Sequence, residues 1–562
     1  MPWTLYRHML VELTKLLVVT TVVLVTVISF AAAVKPLSEG LLGPTALARF
    51  IFYSAPTMLA FALPFAAAFA STLVFIRMAN DNEVLACSAS GLSYRTVLLP
   101  PALLGLALTM GLFATSNFVI PYFHREARQS LERDLITLLV TDLNAGKAFD
   151  RMGDHIIYAD RAEERPAPPM PELSLQPDRL IELTGVAVAE LGRDNQVRSD
   201  YTAQRANVLL FRRGDQSWIT MRLHELRYSD PVRGMLSDHG SLDIGTIELP
   251  NPMSDKPKFF SLPQLRIIAD EPEQYDRVRE RRDELVEVVT AERLRQQVRG
   301  ALDDDRYGHT ATLGSSRPGD YYTLHAPRVT RNGGELLLEA RGDVPVTVHA
   351  YDDGRPAPFD EGSAVRRYEA ERALVVVEHV SVDAAPSLRV ELSEARIYDA
   401  RLAGRFTERS ALTLPRLLWP DRATAEEPSA MSLEALIKLA GEPNYRGVRE
   451  VGRAVSRLNS EINELAFEIV ALQHDRAASA VACMLLTLLG AVLSIHLRGQ
   501  MTLVVYFWSF MLAIVTILLI YAGENIATKE RFPLYAGLGV LWSGNVLLAM
   551  LIGWVYCRLA RN

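Results

Sequence analysis

The most informative part of the sequence is FIFYSAPTMLAFALPFAAAFASTLVFIRMANDNEVLACSASGLSYRTVLLPP, residues 50–101. An uncharged run over 50–76 is followed by a short polar segment and then by a second uncharged run that begins at Thr96. A helix needs about 20 apolar residues to cross a bilayer, and both runs reach that length. The stretch therefore predicts two membrane spans joined by a short loop.

Runs of this kind occur six times and divide the chain into two membrane halves around a charged middle region. They lie at 16–34, 50–76, 96–121, 477–495, 501–523 and 532–557. Residues 122–476, between the third and fourth runs, hold most of the charged side chains, so we expect a soluble region there. The hydrophobic content of 49% suits a membrane protein, and the net charge of −7 offers no basic surface for nucleic acid.

Basic residues beside the runs predict which side each loop faces, because Lys and Arg concentrate in cytoplasmic loops. One side would carry Arg7, Lys15, Arg77, Arg95, Arg498, Arg558 and Arg561, and the other would carry Lys35, Arg49, Lys529 and Arg531. This bias places both termini in the cytoplasm and the middle region outside. No disulfide framework is expected outside, because Cys87, Cys483 and Cys557 all fall in membrane or cytoplasmic segments.

The first run admits a second interpretation. Arg7 and Lys15 precede an apolar run that ends in Phe30 and three alanines, a pattern also found in secretory signals. The run is long for a signal core, however, and it follows an apolar stripe made by Trp3, Tyr6, Leu10 and Leu13. We therefore expect an uncleaved span, preceded by a helix that lies on the inner membrane surface.

The middle region is expected to contain two strand-rich blocks separated by a charged helix. Ile219, Met221 and Leu223 alternate with polar residues, as in a half-buried strand of an antiparallel sandwich or jelly roll. A second strand-rich block is predicted over 321–398, and helical patterns occupy 123–143, 270–305 and 432–473. Residues 219–227 share their spacing with residues 388–396, which a common strand pattern or a duplication would equally produce.

The polar loop of the opening stretch is predicted to form a short helix over 80–92. Asn80 and Glu83 have the spacing of a capping box, and Gly91 can end the helix in a left-handed conformation. Its apolar stripe is too narrow to anchor it in lipid and consists of Leu85, Ala89 and Leu92. Such a helix either contacts a cytoplasmic protein, such as an ATPase domain, or is a solvated loop helix, and its spacing fits both.

Residues 83–101 resemble the corresponding segment of the LptF/LptG permease family, in which a short helix with a glutamate leads to a proline-containing third span. Similar segments are LYRHMLVELTKLLVV at 5–19, SNFVIPYFHREAR at 116–128, QHDRAASA at 473–480 and ENIATKERFPLYAGLGVLWSGN at 524–545. Two features depart from the family. Gly544 stands where the family has proline in the last span, and residues 305–418 have no assignable counterpart.

The resemblance implies an α-helical polytopic membrane protein with six spans, arranged 3+3, and a large inserted periplasmic β-jelly-roll or β-sandwich region. Such a protein would be the inner-membrane permease subunit of an ABC exporter. It would extract lipopolysaccharide, or a similar anionic glycolipid, and pass it to a periplasmic jelly-roll bridge. The implied partners are a cytoplasmic LptB-like ABC ATPase dimer, a second LptF/LptG-type permease and LptC/LptA-like periplasmic jelly-roll proteins.

The resemblance also implies roles for particular residues. Glu83, with Leu85 and Leu92, would contact the ATPase. Lys35 and Arg49, at the outer end of the first hairpin, would meet lipid phosphates or would simply mark the membrane edge. Candidates for a lateral gate between the first and fifth spans, which would otherwise face lipid, are Phe30, Phe507 and Phe510.

The sequence gives no sign of catalysis by this chain. It lacks the phosphate-binding motif G-x-x-x-x-G-K-[ST], so we expect no cofactor here and assign ATP and Mg²⁺ to a partner ATPase. Acids and histidines at 303–309 and 474–475 lack the spacing of metal ligands, so no metal site is expected. His349 and His379 fall in predicted strands and are expected to be packed or surface residues.

The chain thus divides into five predicted parts. They are 1–121, with the inner surface helix, three spans and the loop helix; 122–304, a jelly-roll-like domain and helical spacer; 305–430, a second strand-rich insertion; 431–476, a helix leading to the membrane; and 477–562, the last three spans. The alternative function is that of a membrane-anchored periplasmic binding or scaffold protein without transport activity.

Overall fold

The computed structural model describes residues 3–38, 44–152, 155–167, 176–191, 197–213, 216–230, 235–248, 256–303, 310–315, 320–332, 335–351, 364–378, 387–399, 406–420, 427–529 and 532–561.

Three long apolar helices precede the first strand-rich region. They are α1 (Trp3–Ser38), α2 (Pro44–Asn80) and α4 (Tyr94–Ala114), with the short α3 (Glu83–Ala89) linking α2 to α4. A π-helical turn at Thr115–Val119 leads from α4 directly into α5 (Ile120–Asn144). The helix predicted over 123–143 is therefore confirmed as the continuation of the third span.

The N-terminal segment differs from its prediction. It does not form a separate surface helix, since α1 continues unbroken from Trp3 to Ser38. The reason is packing: Met9 and Leu13 are buried in a cluster with side chains of the neighbouring spans, although Trp3 at the start of the helix is exposed. Of the predicted stripe, only Leu13 is buried against protein, while Tyr6 and Leu10 are half-buried.

The first strand-rich region is a six-stranded antiparallel sheet whose strands follow each other in chain order. The strands are β1 (Phe149–Met152), β2 (His155–Pro166), β3 (Arg179–Leu191), β4 (Val197–Arg213), β5 (Gln216–Asp230) and β6 (Met235–Glu248). The alternating Ile219, Met221 and Leu223 are buried in its core, as predicted. The antiparallel pairing is confirmed, and the jelly-roll arrangement stays a prediction.

Two helices connect this sheet to the second strand-rich region. They are α6 (Leu262–Asp270), which begins with a capping box at Ser261 and Gln264, and α7 (Asp276–Asp303). The charged helical pattern predicted over 270–305 is α7, whose buried face includes Val278, Leu285 and Val289.

The second strand-rich region is a nine-stranded antiparallel sheet that closes on itself. The strands are β7 (Thr310–Ser315), β8 (Tyr321–His325), β9 (Arg328–Asn332), β10 (Glu335–Glu339), β11 (Val346–Tyr351), β12 (Arg366–Ala370), β13 (Arg372–Glu378), β14 (Ser387–Asp399) and β15 (Phe406–Leu418). Pairing of β12 with both β11 and β14 completes a ring in the order β12-β11-β8-β7-β15-β14. The ring encloses an apolar core that includes Leu324, Val348 and Val390.

The matching segments 219–227 and 388–396 also share a rare backbone conformation. Glu225 in β5 and Glu394 in β14 occupy equivalent positions of the two segments, and both have a φ of 53°. Left-handed backbone costs a non-glycine residue roughly 1–2 kcal/mol, so both strands contain a similar local distortion. Duplication and a shared strand pattern both remain compatible with this likeness.

Five helices follow the second sheet in the described residues. They are α8 (Leu433–Ala440), α9 (Pro443–Arg446), α10 (Arg449–His496), α11 (Thr502–Ala527) and α12 (Leu534–Arg561). The single helix predicted over 432–473 is wrong, because turns at Gly441 and Gly447 separate α8, α9 and α10. From Arg449 onward α10 passes into the fourth apolar run without a break, as predicted.

The described chain thus contains six helices long and apolar enough to cross a membrane, which confirms the predicted number. α10 is the most buried of the six, and small residues allow the spans to approach it closely. A Cβ atom on Gly490 of α10 would lie 2.9 Å from the carbonyl oxygen of Ala68 on α2. Buried hydroxyl groups reinforce this contact: the Ser71 hydroxyl donates to the carbonyl oxygen of Thr487 over 2.6 Å.

Candidate functional site

Helix α3 occupies the sharp connection between α2 and α4. It begins at Glu83, after Asn82, which has a φ of 60° and makes no side-chain cap hydrogen bond. The predicted capping box is wrong, because α2 continues past its apolar run and Asn80 is its last residue. The left-handed conformation of Gly91 is confirmed by its φ of 84°.

The side chain of Val84 fixes α3 against the spans. It is only 6% exposed and belongs to a buried cluster with side chains from α1, α2, α4, α10 and α12. Members of this cluster include Met9, Phe75, Met78, Val97, Ile495 and Val555. Burying a side chain of this size contributes about 1.5–3 kcal/mol, so α3 is expected to move together with the ends of α2 and α4.

The opposite side of α3 is open. Leu85 is 51% exposed, and Glu83, Ala86 and Ala89 are exposed as well. Leu92 is half-buried and lies beyond the end of the helix. The structure therefore leaves both Glu83 and Leu85 accessible, on the two sides of the buried Val84, whereas Leu92 lies apart from them. Sequence reasoning missed the anchor Val84, because seven residues are too few for their spacing to identify the buried side.

Two polar contacts connect the span ends around α3. The Arg95 Nε donates to the Tyr556 hydroxyl over 3.1 Å, which joins α4 to α12. The Arg77 Nη2 donates to the Glu12 carboxylate over 3.2 Å, which joins α2 to α1. Glu83 forms no ion pair within the described residues, so its carboxylate is accessible to a cation from another protein.

The candidate gate phenylalanines are all exposed on this chain. Phe30 on α1 is 60% exposed, while Phe507 and Phe510 on α11 are 57% and 52% exposed. Phe510 packs against Phe65 of α2 with ring centroids 5.7 Å apart. Across the described chain no ring contact joins Phe30 to either residue of α11, so one chain does not bring the three together.

The two candidate phosphate-binding cations are not brought together either. The side chain of Lys35 and the connection at 39–43 lie outside the described residues. Arg49 is exposed near the beginning of α2, where it stays a candidate.

The residues considered for catalysis or metal binding are only partly described by the structure. In the part of the chain that the structure describes, no group of three or more His, Cys, Asp and Glu residues could hold a metal ion. His474 accepts a hydrogen bond at Nδ1 from the Trp542 indole over 3.3 Å, and His349 is buried in β11. His309 and His379 lie outside the described residues.

Comparison with known proteins identifies one family. The family described as lipopolysaccharide export system permease LptF/LptG matches residues 7–298. These residues include most of α1 and α7, all of the helices between them and the whole first sheet, whereas the second strand-rich region and the last three apolar helices lie beyond the match. No curated protein shows significant similarity to the chain.

Proposed function

Because this chain belongs to the LptF/LptG family of lipopolysaccharide export permeases, we propose that it is the transmembrane permease subunit of an ABC exporter. It extracts lipopolysaccharide, or a similar anionic glycolipid, from the inner membrane and passes it to a periplasmic jelly-roll bridge. One observation carries this proposal: α3 is anchored by Val84 to both of the spans that it links, while Glu83 and Leu85 remain open to a partner.

The energy for export comes from a separate protein. The chain has no phosphate-binding motif, so an LptB-like ATPase dimer in the cytoplasm binds ATP and Mg²⁺. A basic side chain of the ATPase pairs with Glu83, and an apolar recess receives Leu85. Movement of the ATPase then displaces α3 and, through Val84, the ends of α2 and α4.

A second LptF/LptG-type permease completes the lateral gate. The exposed apolar faces of α1, with Phe30, and of α11, with Phe507, share no ring contact among the described residues of one chain. A gate between a first and a fifth span would therefore form between α1 of one permease and α11 of the other. Apolar walls suit acyl chains, and Lys35 and Arg49 at the opposite end from α3 suit the lipid phosphates.

The first sheet offers an edge to a periplasmic jelly-roll protein of the LptC/LptA type. Among the described strands β6 pairs only with β5, so its outer edge presents backbone donors and acceptors. Strand addition at such an edge would extend the sheet into a continuous apolar groove for the lipid. This arrangement requires a multi-pass protein of the inner membrane with both termini in the cytoplasm and both sheets in the periplasm, as the basic residues beside the spans predict.

Charge reversal on α3 tests the proposal. The chain is co-expressed with its partner permease and ATPase, and the ATPase that co-purifies is measured. We expect Glu83→Arg to lose the ATPase, because like charges would then face each other across the contact. Asp81→Arg is the matched control, since Asp81 is an exposed acid two residues outside α3 and should keep the ATPase. Retention of the ATPase by Glu83→Arg would contradict the coupling role.

The alternative of a membrane-anchored periplasmic scaffold is favoured by a different observation. The ring of strands in the second strand-rich region lies beyond the family match. A binding role for this ring would not require transport activity. Depletion of the protein separates the two functions. An exporter predicts that lipopolysaccharide accumulates in the inner membrane, whereas normal delivery to the outer membrane would favour the scaffold.

A further inference from the structure

The third span and the first sheet are connected by one uninterrupted helical rod. It consists of α4, the π-helical turn and α5, from Tyr94 to Asn144, about 75 Å at 1.5 Å per residue. Its far end enters the sheet, where Ile136, Leu139 and Leu143 belong to the buried core. The Asn144 side chain closes the junction by bonding both the N–H and the carbonyl group of Ala162, each over 2.9 Å.

The π-helical turn of this rod contains a buried polar side chain, that of Asn117. The N–H of Ile120 donates to the carbonyl oxygen of Thr115, five residues earlier, and Pro121 follows without an N–H of its own. A widened turn accommodates a proline that would otherwise clash inside the helix. The buried Asn117 sits in this turn, and its Nδ2 donates to the carbonyl oxygen of Phe113 over 2.7 Å.

Arg476 of α10 joins this turn to the segment that follows the first sheet. Its Nη1 donates to the Asn117 Oδ1 over 2.8 Å. Its Nη2 donates to the carbonyl oxygens of Lys258 and Phe260, over 3.0 Å and 2.6 Å. Arg476 is 5% exposed, so these acceptors compensate for the cost of burying its charge.

The segment that contains Lys258 and Phe260 is also held from its other side. The ring of Phe259 stacks on the buried His124 ring of α5, with centroids 3.7 Å apart and planes 8° apart. The Lys258 Nζ lies 5.0 Å from the centroid of the same Phe259 ring. The segment is therefore wedged between α5 and α10, the extensions of the third and fourth spans.

The charges around this contact do not make it a site for an anionic ligand. Burial, followed by repulsion from Lys256, lowers the pKa of Lys258, whereas Glu524, Glu468 and Asp475 act in the opposite direction. These acids offset the basic residues. The Arg476 guanidinium also directs its hydrogen bonds to groups of the chain itself, so its role here is structural connection.

We propose that Arg476 is a positioning residue that locks the third span, the fourth span and the segment after the first sheet into one rigid unit. We call this set of contacts the Arg476 joint: Arg476, Asn117 and the carbonyl groups of Lys258 and Phe260. A displacement of α3 then reaches the sheet as a movement of the whole rod. The rigidity of this unit follows from the contacts alone, and its use in lipid export rests on the proposed function.

Distance measurements between spin labels test the joint directly. Labels are attached at Thr184→Cys in β3 and Tyr535→Cys at the start of α12, both exposed positions, after Cys87 and Cys557 are replaced by serine. The otherwise native chain should give one narrow distance distribution. Arg476→Met should broaden this distance distribution, because methionine fills space but donates no hydrogen bond.

Two further variants keep the test decisive if Arg476→Met does not fold. Asn117→Ala removes the acceptor and should also broaden the distribution, whereas Asn117→Asp keeps an acceptor and should preserve it. Arg457→Met is the matched control, since Arg457 lies on the same helix and pairs with Glu284 at a distance of 2.6 Å, away from the joint. A narrow, unchanged distribution in both Arg476→Met and Asn117→Ala would overturn the proposal.

Measurements on the assembled complex separate this proposal from the proposed function. If the joint transmits movement for export, the complex that contains Arg476→Met should retain its ATPase. The ATPase should still hydrolyse ATP, but the complex should release less lipid per ATP. If Arg476→Met broadens the distance distribution but the native chain binds no ATPase, the joint would be supported and the exporter function contradicted. An unchanged distribution in a working exporter would contradict the joint alone.

Discussion

Adjacent residues of α3 have different roles, packing and partner binding, which the sequence pattern does not distinguish. Val84 is buried among the spans, and the adjacent Leu85 is exposed. One position therefore stabilises the connection, while the next is available for a partner. The shared type of side chain makes the pair a sensitive test of this division.

Truncating the two residues should affect two different properties. Val84→Ala is expected to lower the free energy of unfolding by about 1–2 kcal/mol, because it removes buried methyl groups. Leu85→Ala should leave thermal stability in detergent unchanged and weaken co-purification of the ATPase. Equal loss of stability in both variants would show that Leu85 is also packed within the chain.

A buried acid fixes the second strand-rich region to its supporting helix. Glu292 of α7 is 3% exposed and accepts two hydrogen bonds of 3.0 Å from Arg331 of β9. Arg295 approaches the same carboxylate at 3.4 Å. The carboxylate therefore neutralises two cations at the boundary between α7 and the sheet.

Removing this acid should loosen the boundary. Glu292→Ala is expected to cost on the order of 2–3 kcal/mol, less than a fully buried pair because Arg331 is partly exposed. Glu408→Ala, which breaks an exposed pair with Arg396, should change stability little. Thermal unfolding and limited proteolysis of the purified variants would measure both effects, and equal stability would contradict the assignment.

At the scale of elements, glycine contacts determine how closely α11 and α12 approach. A Cβ atom on Gly537 would lie 2.4 Å from the backbone nitrogen of Ala527, and one on Gly523 would lie 2.3 Å from that of Leu541. Real Cβ atoms do not come so near to backbone, so a side chain at either position must separate the helices. The close approach depends on packing, since lipid supplies little hydrophobic drive between spans.

Two glycines of the same helix provide a matched comparison. Gly537→Ala should destabilise the protein by about 1–3 kcal/mol, because the added methyl group forces α11 and α12 apart. Gly539→Ala should be tolerated, since a Cβ atom there would meet no other atom within 4 Å. Melting temperatures in detergent would decide between them, and equal values would contradict the packing described.

At the scale of the whole molecule, local patterns predicted the elements and missed the contacts between distant parts of the chain. Apolar run length was enough for six spans, because the bilayer sets that length. The helical period of the charged pattern at 270–305 was enough to predict α7. The closure of the second sheet and the Arg476 joint were not predicted, because Asn117 and Arg476 are separated by 359 positions and neither has a local signature. The residues 473–480 pointed to the family without revealing what Arg476 contacts.

We propose that a separate ATPase acts on this chain through α3. The most direct measurement places a photo-crosslinking amino acid at Leu85 in living cells, with a second one at the exposed Tyr535 near the opposite end of the spans as control. We expect position 85 to capture the ATPase subunit and position 535 not to capture it. Absence of capture at position 85, or labelling of that position by a reagent that cannot cross the inner membrane, would contradict the proposal.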